Sequence, residues 1–243
     1  MLLSAENLYK IYSRKKVVNN VSIYVNQGEI VGLLGPNGAG KTTTFYMLVG
    51  QIAVDSGKIF LDDLDITKYP IWDRAKNGIG YLPQESSIFK DLSVEDNINF
   101  SLELMSYSRR QKQDKLEQLL NEFNVQHIRK NLGRMLSGGE RRRVELARLL
   151  AINPKFVLLD EPFAGVDPIA IKDIQNLINT LKKKNIGVLI TDHNVDETLT
   201  ITDRAYLMAN GKILKSGTTE DLINDENVRS VYLGKNFTLK NDF

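Results

Sequence analysis

The sequence contains no cysteine, which excludes disulfide bonds and thiolate chemistry and allows a reducing compartment. Its apolar runs are short: the longest, such as Phe156–Leu159, fall far below the roughly 20 residues that a membrane-spanning helix needs. Residues 1–30 lack the basic start, apolar core and small-residue cleavage site of a signal peptide. Any membrane role is therefore expected to come through a partner.

Neither sign of charge is in excess, because 32 Lys and Arg face 30 Asp and Glu and leave a formal net charge of +2. This balance demands neither nucleic acid nor an anionic membrane as a partner. Internal repeats, low-complexity tracts and long Gly/Ser/Pro linkers are also missing. With 42% apolar residues in 243, the chain can bury the core of one or two globular domains.

Strands alternate with helices along much of the chain. The unbroken apolar run Ile30–Leu34 predicts a strand buried on both faces, followed by a helix from Lys41 to about Val49. "FVLLD" and "IGVLITD" predict further buried strands, separated by a helix over 169–182. Asn210-Gly211 predicts a hairpin turn. The pattern predicts an α/β fold with a largely parallel sheet.

A mainly helical segment interrupts this pattern. Ser93 predicts a helix start, and leucines at helical spacing predict another helix near residues 108–123. We expect an ATPase core with an N-terminal β-subdomain in residues 1–73 and 135–234, a helical insert in 74–134, and a loosely held tail in 235–243.

"GPNGAGKT" (35–42) fits the phosphate-binding pattern G-x-x-x-x-G-K-[ST], and it lies between an apolar strand and a helix as that pattern requires. Its glycines let backbone N–H groups surround phosphate oxygens, Lys41 reaches the β- and γ-phosphates, and the Thr42 hydroxyl can bind Mg²⁺. The alternative, a glycine-rich turn with a chance lysine, explains less. The predicted ATP contacts here are Gly35, Pro36, Asn37, Gly38, Ala39, Gly40, Lys41, Thr42 and Thr43.

Polar residues follow the buried strands at the edge where ligands of such sheets bind. Asp160 and Glu161 follow one strand: one carboxylate can hold Mg²⁺ and the next can orient or deprotonate an attacking water, although two acidic residues are also a common loop start. His193 follows the next strand and is predicted to contact the γ-phosphate. Gln84 follows a further predicted strand, "GIGYL", at the edge of the helical insert, where it could sense nucleotide. His127 is predicted to be a surface residue of a helix.

A second Ser-Gly-Gly stretch begins the helix "LSGGERRRVELARLL" (136–150). Locally, Ser137 and Glu140 form a capping box, which needs no ligand. The two glycines are poor helix formers and favour a close backbone approach to a ligand. The run 141–143 spreads around the helix, so we interpret its arginines as solvated or locally paired and predict no nucleic-acid binding.

Together these motifs resemble the ATP-binding-cassette (ABC) family over nearly the whole chain. "GPNGAGKT" resembles its Walker A, "YLPQE" its Q-loop, "LSGGE" its signature, "FVLLDEP" its Walker B, "AGVDP" with Asp167 its D-loop, and "TDHN" its His switch. The resemblance implies a P-loop NTPase (RecA-like) core and an ATP hydrolase. It implies adenine stacking on Tyr12, Glu161 as general base, and Asp160, Thr42 and Gln84 around Mg²⁺.

The resemblance also implies a homodimer in which the signature acts in trans on the partner's ATP through Leu136, Ser137, Gly138, Gly139 and Glu140. Longer stretches, such as "GIGYLPQESSIF" and "GVLITDHNVDETL", are most similar to the branch that exports bacterial lipopolysaccharide, and branched-chain amino-acid importers share some of them. This implies two integral membrane permease subunits with coupling helices, at the cytoplasmic face of the inner membrane, and periplasmic components reached only indirectly.

A groove lined by Ile88, Phe89 and Leu92 is predicted to receive the coupling helix of such a permease. Two other classes of function compete with transport. A soluble ATP-driven repair or translation machine is disfavoured by the single cassette and compact insert. A regulatory module without turnover is disfavoured because Glu161 is present.

Overall fold

The computed structural model describes residues 1–234, apart from the side chains of Pro168, Ile169 and Val231, so the predicted tail 235–243 lies outside the described residues. The strands are β1 (Leu2–Tyr12), β2 (Lys15–Asn26), β3 (Ile30–Leu34), β4 (Ser56–Leu61), β5 (Leu64–Asp65), β6 (Ile79–Leu82), β7 (Phe156–Asp160), β8 (Gly187–Thr191), β9 (Arg204–Ala209) and β10 (Lys212–Thr218).

The helices are α1 (Lys41–Val49), α2 (Ile71–Lys76), α3 (Val94–Glu103), α4 (Arg109–Glu122), α5 (Gly138–Leu150), α6 (Pro168–Lys183), α7 (Val195–Ile201), α8 (Thr219–Ile223) and α9 (Glu226–Val228). Short 3₁₀ turns span Gln126–Ile128 and Gly133–Met135, and a π-helical turn spans Arg229–Leu233. Ser93, Ser108 and Ser137 cap α3, α4 and α5 through their side chains, and the sequence predicted the helix starts at Ser93 and Ser137.

The first sheet is antiparallel, with strand order β2-β1-β4-β5. Val21, Ile23 and Val25 of β2 are buried while the residues between them are exposed, which is the alternation of a strand with one covered face. This confirms the predicted N-terminal β-subdomain.

The second sheet has strand order β10-β9-β3-β8-β7-β6 and is parallel except for the β9–β10 hairpin. Every residue of β3, β7 and β8 is buried, because helices and the first sheet cover both faces. The hairpin turns at Asn210 and Gly211, both with positive φ. The parallel order brings the carboxyl ends of β3, β6, β7 and β8 to one edge, which positions the site.

The helical segment begins later than residue 74, where the sequence placed it. Residues 79–82 form β6, which pairs in parallel with β7 and extends the core sheet. Ile79 and Leu82 are buried against that sheet. This short apolar run therefore forms a strand, because pairing with the core sheet buries it. The helices that follow, α3 and α4, pack against each other and against α5. Within residues 1–234, no helix is both long and apolar enough to cross a bilayer.

Candidate functional site

The phosphate-loop segment, residues 35–40, connects β3 to α1. Gly35 and Gly40 adopt φ of 146° and 99°, and an added Cβ would lie 2.3 Å from the Met208 carbonyl oxygen and 2.5 Å from that of Val17, respectively. Only glycine fits at these two points because both the dihedral angle and the backbone contact exclude a side chain. The loop is thereby held against the β9–β10 hairpin and β2.

The loop surrounds a cleft of about 320 Å³ that is lined by Val17, His193 and the consecutive residues 37–43. Helix α1 begins here with Gly40 as its N-cap and without a side-chain cap, so its first N–H groups and the positive end of its dipole face a potential anion. Lys41 is 6% exposed, and its Nζ donates to the carbonyl oxygens of Gly35 at 2.6 Å and Pro36 at 3.1 Å. Burial lowers the pKa of Lys41, and the negative charge of Glu161 opposes this shift.

Asp160 ends β7 and is only 3% exposed. Burial raises the pKa of its carboxyl group, the charges of Glu161 and Asp192 raise it further, and a hydrogen bond from the Tyr46 hydroxyl opposes the shift. Tyr46 comes from α1, so this contact ties the carboxylate to the helix that begins at the phosphate loop. The sequence analysis assigned Tyr46 no role.

Glu161 lies at the centre of the site, immediately after β7. It adopts a left-handed φ of 46°, and its N–H donates to the Thr191 carbonyl oxygen at the end of β8 at 2.7 Å. Its Oε2 accepts from Gln84 Nε2 at 2.7 Å, and its Oε1 lies 2.7 Å from His193 Nε2. The structure therefore brings together the side chains of Gln84, Glu161 and His193. Gln84 and Glu161 are 77 residues apart in sequence, and Glu161 and His193 are 32 residues apart.

Asp192 is a further buried carboxylate at this edge, which the sequence analysis did not single out. It is 1% exposed and accepts backbone N–H groups from Phe163 at 2.9 Å and Asn194 at 2.8 Å. Burial raises its pKa, and these hydrogen bonds oppose the shift. Its position directly before His193 is the sequence feature that could have identified it as part of the site. The carboxylate fixes the loops that carry Glu161 and His193 relative to each other.

These groups fit a magnesium nucleotide. Mg²⁺ in nucleotide sites is commonly held by one or two protein oxygens together with phosphates and waters. Thr42 is exposed on the first turn of α1, and the buried Asp160 carboxylate is held by Tyr46. Among the described residues, no group of three or more His, Cys, Asp or Glu side chains has the geometry of a metal site of their own. The donor set suits an ion that arrives with phosphates.

The signature segment 136–140 does not line this cleft within the described part of the chain. Leu136 is buried, whereas Ser137 and Gly138 are exposed at the start of α5. Ser137 Oγ accepts from the Glu140 N–H at 3.3 Å, and the Glu140 carboxylate accepts from the Ser137 N–H at 2.8 Å, which confirms the predicted capping box. These hydrogen bonds lower the pKa of Glu140. The segment presents an exposed, capped helix N-terminus away from its own phosphate loop.

Residues 141–143 are locally paired, as predicted, but they are not all solvated. Arg143 pairs with Asp173, and Arg141 donates to the Leu136 carbonyl oxygen at 3.0 Å. Arg142, however, is buried and pairs with Glu145. It faces the core because helix α5 packs one side on the sheet, and the paired carboxylate compensates for its desolvation.

The predicted groove residues do not share one environment. Phe89 and Leu92 are exposed, and the Phe89 ring packs edge-to-face on Phe100 at 4.9 Å between ring centroids. Ile88 is buried in the core beside α3, and its role in lining a groove remains a prediction.

Three other predicted residues lie on the surface. Tyr12 ends β1 at the turn to β2, with Lys10 Nζ 5.4 Å from its ring centroid, and it is not among the residues that line the cleft. Asp167 precedes α6, and its Oδ1 accepts from the Ala170 N–H at 3.0 Å. His127 is exposed in a 3₁₀ turn. The proposed roles of Tyr12 and Asp167 remain predictions.

Comparison with known proteins gives concordant matches. Residues 18–164 match the family described as ABC transporter. The chain is 58% identical over 239 residues to the lipopolysaccharide export system ATP-binding protein LptB of Haemophilus influenzae, covering 98% of this chain and 99% of that protein. It is 55% identical over 238 residues to the protein of the same name from Escherichia coli (strain K12), with the same coverage of both chains.

Among solved structures, the fold matches an ATP-binding cassette of an ABC transporter crystallised in its ADP conformation. The TM-score is 0.85 at 30% sequence identity, and the match covers 96% of this chain and 99% of that one. The match extends over both sheets and the helical segment, so the arrangement of the site rests on a shared architecture.

Proposed function

The chain belongs to the ABC transporter family and is an ATP-hydrolysing transport ATPase; we propose that it works as a homodimer that powers lipopolysaccharide export. The proposal rests above all on one observation. The Glu161 carboxylate, held by Gln84 and within hydrogen-bond distance of His193, lies beside a cleft formed by the phosphate loop. This is the arrangement that hydrolysis of a bound nucleotide requires: an anion cradle, a base and groups that orient the base.

The phosphate loop binds and orients ATP in this proposal. Backbone N–H groups of residues 37–43 surround the phosphates, and Lys41 exchanges its contacts with loop carbonyls for contacts with the β- and γ-phosphates. Tyr12 stacks on the adenine ring. Mg²⁺, when bound, neutralises phosphate charge. Thr42, Asp160 and Gln84 are the residues that would hold it, directly or through water.

Glu161 acts as the general base that accepts a proton from the attacking water. His193 contacts the γ-phosphate from the neighbouring strand end, and Gln84 orients the base and the water. A positioned base contributes about 10²–10⁴-fold to a rate. Asp160 would hold the metal rather than take the water's proton, because its buried side chain is fixed by Tyr46, whereas Glu161 contacts His193, which lines the cleft.

The signature segment supplies the second half of the site in the partner. Ser137, Gly138 and Gly139 lie at an exposed helix N-terminus that does not line the cleft of its own chain. A helix N-terminus favours a phosphate group. Two chains related by a two-fold axis would place each signature segment on the other's γ-phosphate, and Asp167 lies between the two sites. Such an isologous interface is the commonest oligomer geometry.

The transport role requires membrane partners. We propose that two integral permease subunits dock on the cytoplasmic face through coupling helices that contact Phe89 and Leu92, both exposed. Lipopolysaccharide as the transported molecule follows from the names of the two relatives, each at least 55% identical over nearly the whole chain. The same relatives disfavour a branched-chain amino-acid importer. We propose no nucleic-acid partner.

A membrane pull-down tests this function. The tagged chain, solubilised with membranes from its own host, is expected to retain two integral membrane proteins, and the ATPase rate of the complex in vesicles should rise when lipopolysaccharide is included. Phe89→Asp should release the membrane proteins without changing the ATPase rate of the isolated chain. Recovery of an amino-acid permease, with no response to lipopolysaccharide, would contradict the export role.

A further inference from the structure

The loop that carries Gln84, residues 83–87, is anchored to helix α5 by a buried carboxylate. Glu145 lies two turns into α5 and is only 3% exposed. Its Oε1 accepts from Ser86 Oγ and from the Ser87 N–H, both at 2.7 Å. The loop residues directly after Gln84 are therefore bonded to a charged group that has little freedom to move.

Arginines of the same helix hold the loop at both ends. Arg142 Nη1 donates to the Pro83 carbonyl oxygen at 3.1 Å and to Glu145 Oε2 at 3.3 Å. Arg148 donates to the Ser87 carbonyl oxygen at 2.7 Å and to its hydroxyl at 2.5 Å. The loop is thus hydrogen-bonded to α5 both before and after Gln84, although Gln84 itself is exposed.

We propose that Glu145 is a positioning residue, which sets the placement of Gln84 against Glu161 by fixing the loop to α5. The proposal rests on the role assigned to Gln84 under the proposed function. Charge-assisted hydrogen bonds to a buried carboxylate are stronger than neutral ones, so they restrain the loop more than its own backbone does. A displacement of about 1 Å at a catalytic group can cost about 10²-fold in rate.

The anchor has a second consequence. Helix α5 begins at the signature segment, and Glu145 is eight residues after Ser137, which is about 12 Å along a helix. Helices move as rigid rods over such lengths. A shift of α5 when its N-terminus meets the partner's nucleotide therefore moves the loop that carries Gln84, and one ATP site is linked to the other through Glu145.

A double-mutant cycle tests the positioning role in the purified full-length chain. Glu145→Gln is expected to lower kcat about tenfold. The ATP concentration for half-maximal rate should stay within twofold, because the phosphate loop is untouched. The half-saturating Mg²⁺ concentration should rise. In a Gln84→Ala background, Glu145→Gln should have no further effect on kcat, since the residue it positions is gone. Asp173→Asn is the matched control: it removes the charge of the α6 carboxylate that pairs with Arg143 of α5, away from the loop, and should leave kcat unchanged.

Several outcomes would overturn the proposal. They are an unchanged kcat in Glu145→Gln, an equal loss of kcat in both backgrounds, or a Gln84→Ala chain with full activity. If Glu145→Gln does not fold, Ser86→Ala removes one donor from the exposed side of the loop, and its smaller effect must likewise vanish with Gln84→Ala. Glu161→Gln in the same assay distinguishes failure of the proposed function from failure of the positioning role. If this variant retains full turnover, Glu161 is not the general base, whatever the double-mutant cycle shows.

Discussion

Gln84 Nε2 donates to Glu161 Oε2 at 2.7 Å, which joins the end of β6 to the end of β7 across the edge of the sheet. The two strands pair in parallel, so their carboxyl ends coincide and the two side chains meet. The contact places a neutral amide donor on the carboxylate that the account assigns as the base. It also makes that base dependent on a loop fixed from α5.

Glu161→Gln should abolish turnover while leaving ATP binding intact. Glutamine keeps the shape and can accept from Gln84, but it cannot take a proton from water. We expect a loss of about 10²-fold or more in steady-state ATPase rate and accumulation of an ATP-bound dimer by size-exclusion chromatography. Glu226→Gln, at an exposed site far along the chain, is the control. An unchanged ATPase rate would refute the assignment of Glu161.

Asp160→Asn should stabilise the protein without nucleotide while it abolishes Mg²⁺-dependent hydrolysis. Burial raises the pKa of Asp160 above 3.8, with the charges of Glu161 and Asp192 adding to the shift. The folded state therefore keeps this proton to a higher pH than the unfolded chain, and stability falls as pH rises through that window. Above that window the cost of the buried charge is present, and asparagine removes it.

The measurement is thermal unfolding across pH. We expect the variant's Tm at pH 7 to exceed that of the wild-type chain by about 2 °C or more, the change that about 1 kcal/mol produces in a chain of this size. The difference should shrink as the pH is lowered, because the folded wild-type chain takes up a proton at this carboxyl group before the unfolded chain does. Asp63→Asn, at an exposed site, should change neither value. A less stable Asp160→Asn chain at pH 7 would contradict the account of this carboxyl group.

Arg74→Ala should destabilise the fold strongly. The Arg74 side chain is buried and donates to the carbonyl oxygens of Met47, Leu48, Tyr69 and Thr67 at 2.6 to 3.1 Å. Burial lowers its pKa to about 10, so it stays charged at neutral pH and caps the C-terminal end of α1. Truncation leaves these buried carbonyls unpaired, at a cost of about 3 kcal/mol or more in free energy of unfolding.

Urea denaturation of Arg74→Ala checks this value against a matched arginine. Arg110 is 93% exposed and pairs with Asp114 only at 3.9 Å, so Arg110→Ala should change the free energy of unfolding by less than about 0.5 kcal/mol. Arg74→Lys should be more stable than Arg74→Ala but less stable than the wild-type chain. An ammonium group has its donors on one nitrogen and cannot reach all four carbonyl oxygens. Equal effects at the two arginines would show that the buried contacts contribute little.

Much of the site could be predicted because its parts are local. The strand Ile30–Leu34, the loop after it and the helix from Lys41 appear in the sequence as one continuous pattern, and the structure has the same bounds. Ser137 and Glu140 predict their own capping box, since only three residues separate them. Short-range spacing is enough wherever the interaction itself is short-range.

The remainder depends on contacts between distant residues. The strand at 79–82 was predicted, but it was assigned to the helical insert because its partner in the core sheet, β7, is 77 residues away. The burial of Arg142 was not predicted, because the Pro83 carbonyl becomes its neighbour only when α5 lies against the loop, whereas its partner Glu145 is three residues away on the same helix. The burial of Arg74 could not be predicted from the sequence. Its four acceptors are backbone carbonyl oxygens, which every residue type has.

In the proposed homodimer each ATP site is built from two chains, with a phosphate loop from one and the segment 136–140 from the other. Lys41→Ala disables the first half, and Ser137→Arg should disable the second while nearly preserving ATP binding by the single chain. Each variant alone should be inactive. In a heterodimer of the two, one site carries both changes and the other carries neither.

Mixing the two inactive variants in equal amounts, with exchange of subunits, tests this most directly. Random pairing makes about half of the dimers heterodimers, and each has one of its two sites intact, so ATPase activity should recover to about a quarter of the wild-type rate per chain if the sites act independently. Activity that stays at the sum of the two separate variants would contradict a site shared between chains.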